Sequence, residues 1–301
     1  MKNYKILLFT FLIVPMFCFS QEQTKDSIVD KPERDAFESS SLVDNQTNVL
    51  FNKNTLEVMM QHRFDDIGRE NSLLGLYGSA NIRIGATYSF LDWLTVGYGI
   101  TKTNITSDFN VKVALLRQTR SGRIPLSITY YGNAAIDGRS GSEGDNVFFG
   151  RQNRYSYYHQ IIFAKRFSPK LSLQFAPSMS HFNAVFIGDE NDQFTLSFGG
   201  RYKISDQTSF MVDYSVPMTK LPRLDDDPDP RNGYGLYSRN AYGLSLGFEF
   251  STSGHAFQLF ITNLKGILPQ YNNMRNINKV SNGFNDNGML IGFNITRRYN
   301  F

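Results

Sequence analysis

Residues 79–90 read Ser79-Ala80-Asn81-Ile82-Arg83-Ile84-Gly85-Ala86-Thr87-Tyr88-Ser89-Phe90. Ile82, Ile84, Ala86, Tyr88 and Phe90 share one parity, and Asn81, Arg83, Gly85, Thr87 and Ser89 share the other. Successive side chains of a strand point to opposite faces, so one face here is hydrocarbon and the other is Gly, Ser, Thr, Asn and Arg. A helix would scatter the same residues around its circumference.

The alternation recurs along the chain. Thr55 to Phe64 comes before it; Leu94 to Thr101, Phe109 to Leu115 and Ile124 to Tyr131 follow. Tyr155 to Phe167 is a strand with mixed faces and unclear register. Next come Leu171 to Met179, Phe194 to Ile204, Phe210 to Val216, Tyr242 to Phe250, His255 to Leu264 and Gly288 to Phe301, which brings the count to twelve. The connections alternate in length. Short turns stand at Leu91-Asp92, Arg120 to Arg123, Ser168-Pro169-Lys170, Asp206-Gln207 and Thr252-Ser253-Gly254. Long ones stand at Asp65 to Gly78, Ile136 to Gln152, Asn183 to Asp192, Thr219 to Tyr237 and Lys265 to Asn287, with Thr103 to Ser107 the one brief member of that set.

An even number of strands, long loops on one rim, and tight turns and both strand termini on the other describe a bacterial outer-membrane barrel. The expected fold class is therefore all-β, a 12-stranded antiparallel transmembrane up-and-down β-barrel. A soluble barrel or sandwich would turn its apolar face inward and carry long solvated Lys and Glu outside. The polar faces here instead combine small residues with Arg63, Arg83, Lys112, Arg201, Lys203 and Arg298, which suits a lumen. Aromatics gather where strands end: Phe90, Trp93, Phe167, Phe250, Tyr299 and Phe301 at the short turns, and Phe64, Tyr130 and Phe182 at the long loops, as interfacial girdles require.

Composition agrees. Mean hydropathy of −0.32 with 41% apolar residues excludes a helical membrane protein, and 14% aromatics excludes wholesale disorder. A single cysteine, Cys18, excludes a disulfide framework or thiolate metal cluster. A net charge of +4 without a basic stripe gives no case for nucleic acid. Lys2 and Lys5, the apolar run Ile6 to Phe17 and Cys18-Phe19-Ser20 form a secretory signal peptide, residues 1–20, cut before Gln21. Residues 21–54 read as a polar periplasmic N-terminal stem that can tuck under or into the barrel, and residues 55–301 as the outer-membrane β-barrel.

The segment from Phe37-Glu38-Ser39-Ser40 through Leu42-Val43-Asp44-Asn45-Gln46-Thr47 to Gln61-His62-Arg63-Phe64 resembles the opening of a family of outer-membrane β-barrels of unknown function. Asp65 stands where that family's motif commonly continues with Gly. The resemblance implies fold and a location in the outer membrane of a Gram-negative bacterium, and carries over no catalytic or binding residue. Phe301 ends the chain, with Tyr299, Ile295, Phe293 and Ile291 on its face, which resembles the assembly signal read by the barrel-assembly machinery. Arg297 shares that parity and is expected to snorkel towards headgroups.

Three chemistries are candidates. A barrel hydrolase needs a base within reach of a hydroxyl. Of His62, His159, His181 and His255, only His255 has a serine two positions away, Ser253, which falls in the short turn Thr252-Ser253-Gly254, and Ser180 points to the opposite face from its neighbour His181. The expectation is no enzyme and no cofactor. Asp225, Asp227 and Asp229 could offer oxygens to a calcium ion, but lack the Gly and distal Glu of an EF-hand loop; a solvated acidic loop is the plainer reading. The lumen is the third candidate. Arg63, Arg83, Lys112, Arg166, Arg201, Lys203 and Arg298 face Glu57, Asp213 and Glu249 there, an excess that would favour anions in a wet bore. The expected function is passive passage or binding of small polar or anionic solutes. The alternative is a closed barrel acting as scaffold or partner for periplasmic or surface proteins, its lumen plugged by cross-strand charge pairs or by the stem. Outer-membrane lipid surrounds it in either case.

Overall fold

The computed structural model describes residues 30–139, 151–185, 190–219, 241–285 and 287–301. The expected signal peptide and Asp225, Asp227 and Asp229 lie outside the described residues. Lys31–Phe301 form one compact unit.

Two short strands, β1 (Ser41–Leu42) and β2 (Asn45–Gln46), precede the barrel. Its walls are β3 (Thr55–Asp66), β4 (Asn81–Leu91), β5 (Leu94–Thr101), β6 (Thr106–Leu116), β7 (Ser127–Ile136), β8 (Tyr155–Arg166), β9 (Leu171–Phe182), β10 (Asp192–Lys203), β11 (Thr208–Pro217), β12 (Gly243–Ser251), β13 (His255–Thr262) and β14 (Leu290–Asn300). Each pairs antiparallel with its neighbours, and β14 returns to β3, with Arg298 opposite Glu57 and Ile295 opposite Met60, so no edge is left open. Closure gives every wall strand a hydrogen-bonded neighbour on both sides, the condition for a sheet to cross hydrocarbon. One helix, α1 (Pro269–Arg275), lies in the last long loop.

Burial is inverted relative to a soluble barrel. Among the described residues, buried polar and charged side chains outnumber buried apolar ones, while Ile84, Ile100, Phe109, Phe198 and Phe248 are exposed. The outer face is the band that lipid covers.

Strand seven differs from its sequence reading: the ladder opens at Ser127, not Ile124, and runs on to Ile136. Pro125 has no N–H to give a ladder, and Ile124 is held instead in a turn with Thr119. Strand eight's mixed faces also resolve. Its inward residues Tyr158, Ile162 and Ala164 are apolar because they pack against β1, Val43 and Val49 inside the barrel. Phe182 is not a girdle residue: it turns inward, 5% exposed, and meets the Tyr271 ring edge-on. Arg297 lies on the outer face at the short-turn rim, 2.7 Å from His255 Nε2 and over the Tyr299 ring.

Phe198 sits outward at the middle of β10 beside inward Ser197, whose hydroxyl has no partner. Phe198→Arg is expected to destabilise the barrel by about 2–4 kcal/mol in urea titrations in phospholipid vesicles. Ser197→Ala is expected to be neutral or stabilising in the same assay, since it removes an unpaired buried hydroxyl. Equal effects at the two positions would contradict the assignment of faces.

Candidate functional site

Strand alternation sends the ten charged side chains singled out in the sequence into the bore or onto its short-turn rim, and the N-terminal segment meets seven of them. The segment read as a periplasmic stem is buried from Ala36 to Leu50 inside the barrel, apart from half-buried Glu38, Ser40, Gln46 and Asn48. It enters beside the β6–β7 connection, where Glu33 N–H donates to the Gln118 carbonyl and Arg120 N–H to the Lys31 carbonyl. It then folds back as the β1–β2 hairpin, with Ser41 opposite Gln46 and Val43 at a φ of 55° in the turn. A β-branched residue is disfavoured in that left-handed region. Contacts from the wall hold it there.

The hairpin tip is bonded to the wall from several sides. Asp213 accepts from the main-chain N–H groups of Asp44 (3.1 Å) and Asn45 (3.0 Å) and from Asn45 Nδ2 (2.5 Å). Asp44 accepts from Arg63 Nη2 at 2.9 Å and from the Ser245 and Thr262 hydroxyls. The Val43 carbonyl takes a bond from Asn294 Nδ2, also at 2.9 Å. β3, β11, β12, β13 and β14 thus all bond one turn. Further along, Lys112 Nζ donates to the Ser40 carbonyl, Gln258 Nε2 to that of Ser41 and Gln174 Nε2 to that of Gln46. Gly199 makes the approach possible: a Cβ there would stand 2.6 Å from Leu42 Cδ2.

The remaining charges are paired in the same way. Arg83 makes two bonds to Asp108, at 2.8 and 2.7 Å, and Asp108 also accepts from Asn133 Nδ2. Gly99 leaves the space for that guanidinium, since a Cβ would lie 2.3 Å from Arg83 Nη2. Arg201 reaches Glu249 at 3.0 Å and Glu38 of the plug at 3.3 Å. Glu57 accepts from the Ser40 hydroxyl at 2.6 Å. Arg166, Lys203 and Arg298 sit at the short-turn rim. Arg166 is 4.0 Å from Glu33, Lys203 is 3.4 Å from Asp206, and Arg298 donates to the Thr252 and Ser253 carbonyls above Phe51. Asp44, Asp108, Glu38 and Glu33 therefore offset the positive excess counted in the sequence. Asp108 was legible, because it shares the parity of Asn110 and Lys112; Asp44 and Glu38 were not, because nothing in the stem's pattern marks it as a lumen segment.

From the opposite rim the last long loop also folds into the bore. Leu264, Ile267, Leu268 and Met274 are buried, and α1 sends Gln270 to Asn133 Oδ1 (2.8 Å) and Asn273 to the Ser180 hydroxyl (3.2 Å). Arg275 lies over Phe182, 4.8 Å from the ring centroid. The bore is occupied from both ends.

The histidines form one cross-strand acid–base pair. His181 Nδ1 lies 2.7 Å from Asp192, and its Nε2 lies 3.1 Å from Asn183 Oδ1, so neither nitrogen is left to take a hydroxyl proton. His159 meets Tyr130 and His62 stacks on Phe293. Among the described residues, no three His, Cys, Asp or Glu side chains gather as a metal site. Tyr299 and Phe301 are exposed at the end of β14.

Residues 37–299 match a family described as a membrane bound beta barrel domain (DUF5777). No curated protein matches the chain. Among solved structures the chain is similar to the NanC porin, with 8% identity over 82% of this chain and 100% of that one and a TM-score of 0.46. A second is the KdgM porin in complex with disordered oligogalacturonate, with 7% identity over 81% and 99% and a TM-score of 0.44. A third is the Acinetobacter baumannii outer membrane protein Omp33, with 8% identity over 82% and 99% and a TM-score of 0.40.

Arg63 is fully buried, and Asp44 is its one carboxylate partner among the described residues. Asp44→Ala is expected to weaken the plugged state by about 3–5 kcal/mol, as for other broken buried pairs. The readout is thermolysin cleavage at Leu42 and Val43, which are fully covered in the folded protein. Replacing both partners, Asp44→Leu with Arg63→Met, is expected to restore most of the protection. Equal protection of Asp44→Ala and the unaltered protein would rule out the pair as an anchor.

Proposed function

Since the chain belongs to the family of membrane bound beta barrel domains, we propose that it is a closed outer-membrane barrel whose activity lies at its rims, and not a passive pore. The observation that carries this reading is the hairpin tip, where side chains from five wall strands bond Val43, Asp44 and Asn45. Leu42, Val43 and Val49 pack with Tyr158, Ile162, Met211 and Phe260 as a small apolar core inside the barrel. A bore that passed solutes would keep its charges hydrated; here Arg63, Arg83 and Arg201 are bonded to carboxylates and Lys112 to main-chain carbonyls.

The rims are where this protein can meet others, as anchor, scaffold or binder. A catalytic role finds no support in the His181 pair, whose imidazole nitrogens are both engaged.

Single-channel recording of residues 21–301 in planar bilayers tests the closed state. The intact barrel is expected to be silent, and a variant lacking residues 36–50 is expected to give steady openings. Asp213→Ala, which frees the tip without shortening the chain, is expected to flicker. Steady conductance from the intact protein would overturn the reading and restore the solute passage first expected from the sequence.

A further inference from the structure

At the long-loop rim, between α1 and the short β5–β6 connection, lies a cavity of about 410 Å³. That is within the range of small-molecule sites. Asn104, Asn272, Asn276 and Asn278 line it with Tyr271 and Ile277. We propose that this cavity binds a neutral saccharide. The proposal deepens the closed-barrel reading and rests on it, because a ligand held above a filled bore is retained at the rim and not passed inward.

The chemistry follows from the amides. A sugar hydroxyl is both donor and acceptor, and a carboxamide offers both functions from one side chain. Asn272 is 5% exposed, its Oδ1 accepts from the Gly266 N–H, and its Nδ2 has no partner. A buried amide nitrogen without a partner marks a place where an added acceptor is favourable. Asn104 approaches from a different element, and its Nδ2 donates to the Tyr271 hydroxyl at 3.3 Å. The Tyr271 ring and the exposed Ile277 side chain supply apolar surface for the C–H face of a sugar ring.

The charged lining residues argue against an ionic ligand. Lys265 is bonded to Asp65 at 2.6 Å, and Asp66 accepts from Asn278 Nδ2 and the Asn287 N–H. Arg275 lies over the rings of Phe182 and Tyr271. An incoming carboxylate would lose its hydration to meet cations already engaged, whereas hydroxyls trade water for amides at small cost.

The test is calorimetric titration of the intact mature protein in detergent with glucose, galactose, N-acetylglucosamine and maltose. Glucuronate and galacturonate serve as charged comparators, and a delipidated cell-surface glycan trimmed to its neutral O-chain sugars as a second neutral source. Saturable binding of a neutral sugar is expected, about tenfold or more tighter than the uronates. Asn272→Leu and Asn104→Leu, which lie on separate elements, are each expected to weaken it about tenfold. The heat-shifted gel mobility of the folded barrel should persist in both. Tighter binding of the delipidated glycan than of the free sugars would name a cell-surface glycan as the ligand, and the reverse order a diffusible sugar; either supports the site. Absence of saturable neutral-sugar binding by the folded protein would overturn it, as would a uronate preference that disappears in Arg275→Gln. Neither result would alter the conductance expected of the closed barrel, so the two proposals fail separately.

Discussion

A sheet can cross hydrocarbon only by closing on itself, and closure dictates most of what this molecule contains. Each wall strand turns one set of side chains to lipid and the other into a bore narrower than that of an open porin. The outward set has to be apolar, as Ile84, Phe109 and Phe198 are. The inward set is free to be polar, but a polar group out of reach of water must find a partner. The plug supplies partners where one wall strand cannot: Asp213 takes two main-chain N–H groups, Arg63 a carboxylate, and Lys112 a carbonyl. Plug and wall are one hydrogen-bonding system.

The period-two signal in the sequence carried the wall because lipid enforces it on every strand. It carried the inward placement of Glu57, Arg63, Arg83, Lys112, Arg201, Asp213 and Glu249 for the same reason. It failed where another constraint took over. Pro125 displaced the start of strand seven, and Ile162 and Ala164 blurred strand eight because their inward neighbours are apolar plug residues. Phe182 looked like a girdle residue until a loop folding back gave it a ring to pack against.

The charge balance of the bore was the least legible feature. Seven cations against three carboxylates is the balance of the expected wall residues alone, to which Asp108 and the plug's Asp44, Glu38 and Glu33 add negative charge. Asp44 and Glu38 come from a segment with little periodicity of its own, and its shape is set by what surrounds it. The long loop bearing α1 is similar: its amides become a cluster only when Gln270 and Asn273 are bonded into the wall. Segments that fill a barrel are shaped by the barrel, and local sequence says little about them.

The hairpin tip also fixes an order of events. Asp44 leaves the ribosome early, yet the residues that hold its turn stand far along the chain, Asp213 being 169 positions later and Asn294 251 positions after Val43. Contacts of such sequence separation close late. Asn294 and Arg63 become neighbours only once β14 has met β3. The turn can therefore have its full set of bonds only in a wall that has closed. The plug is in this sense a gauge of the wall: a cylinder left open at the β14–β3 seam would lack the Asn294 and Arg63 bonds that seat it.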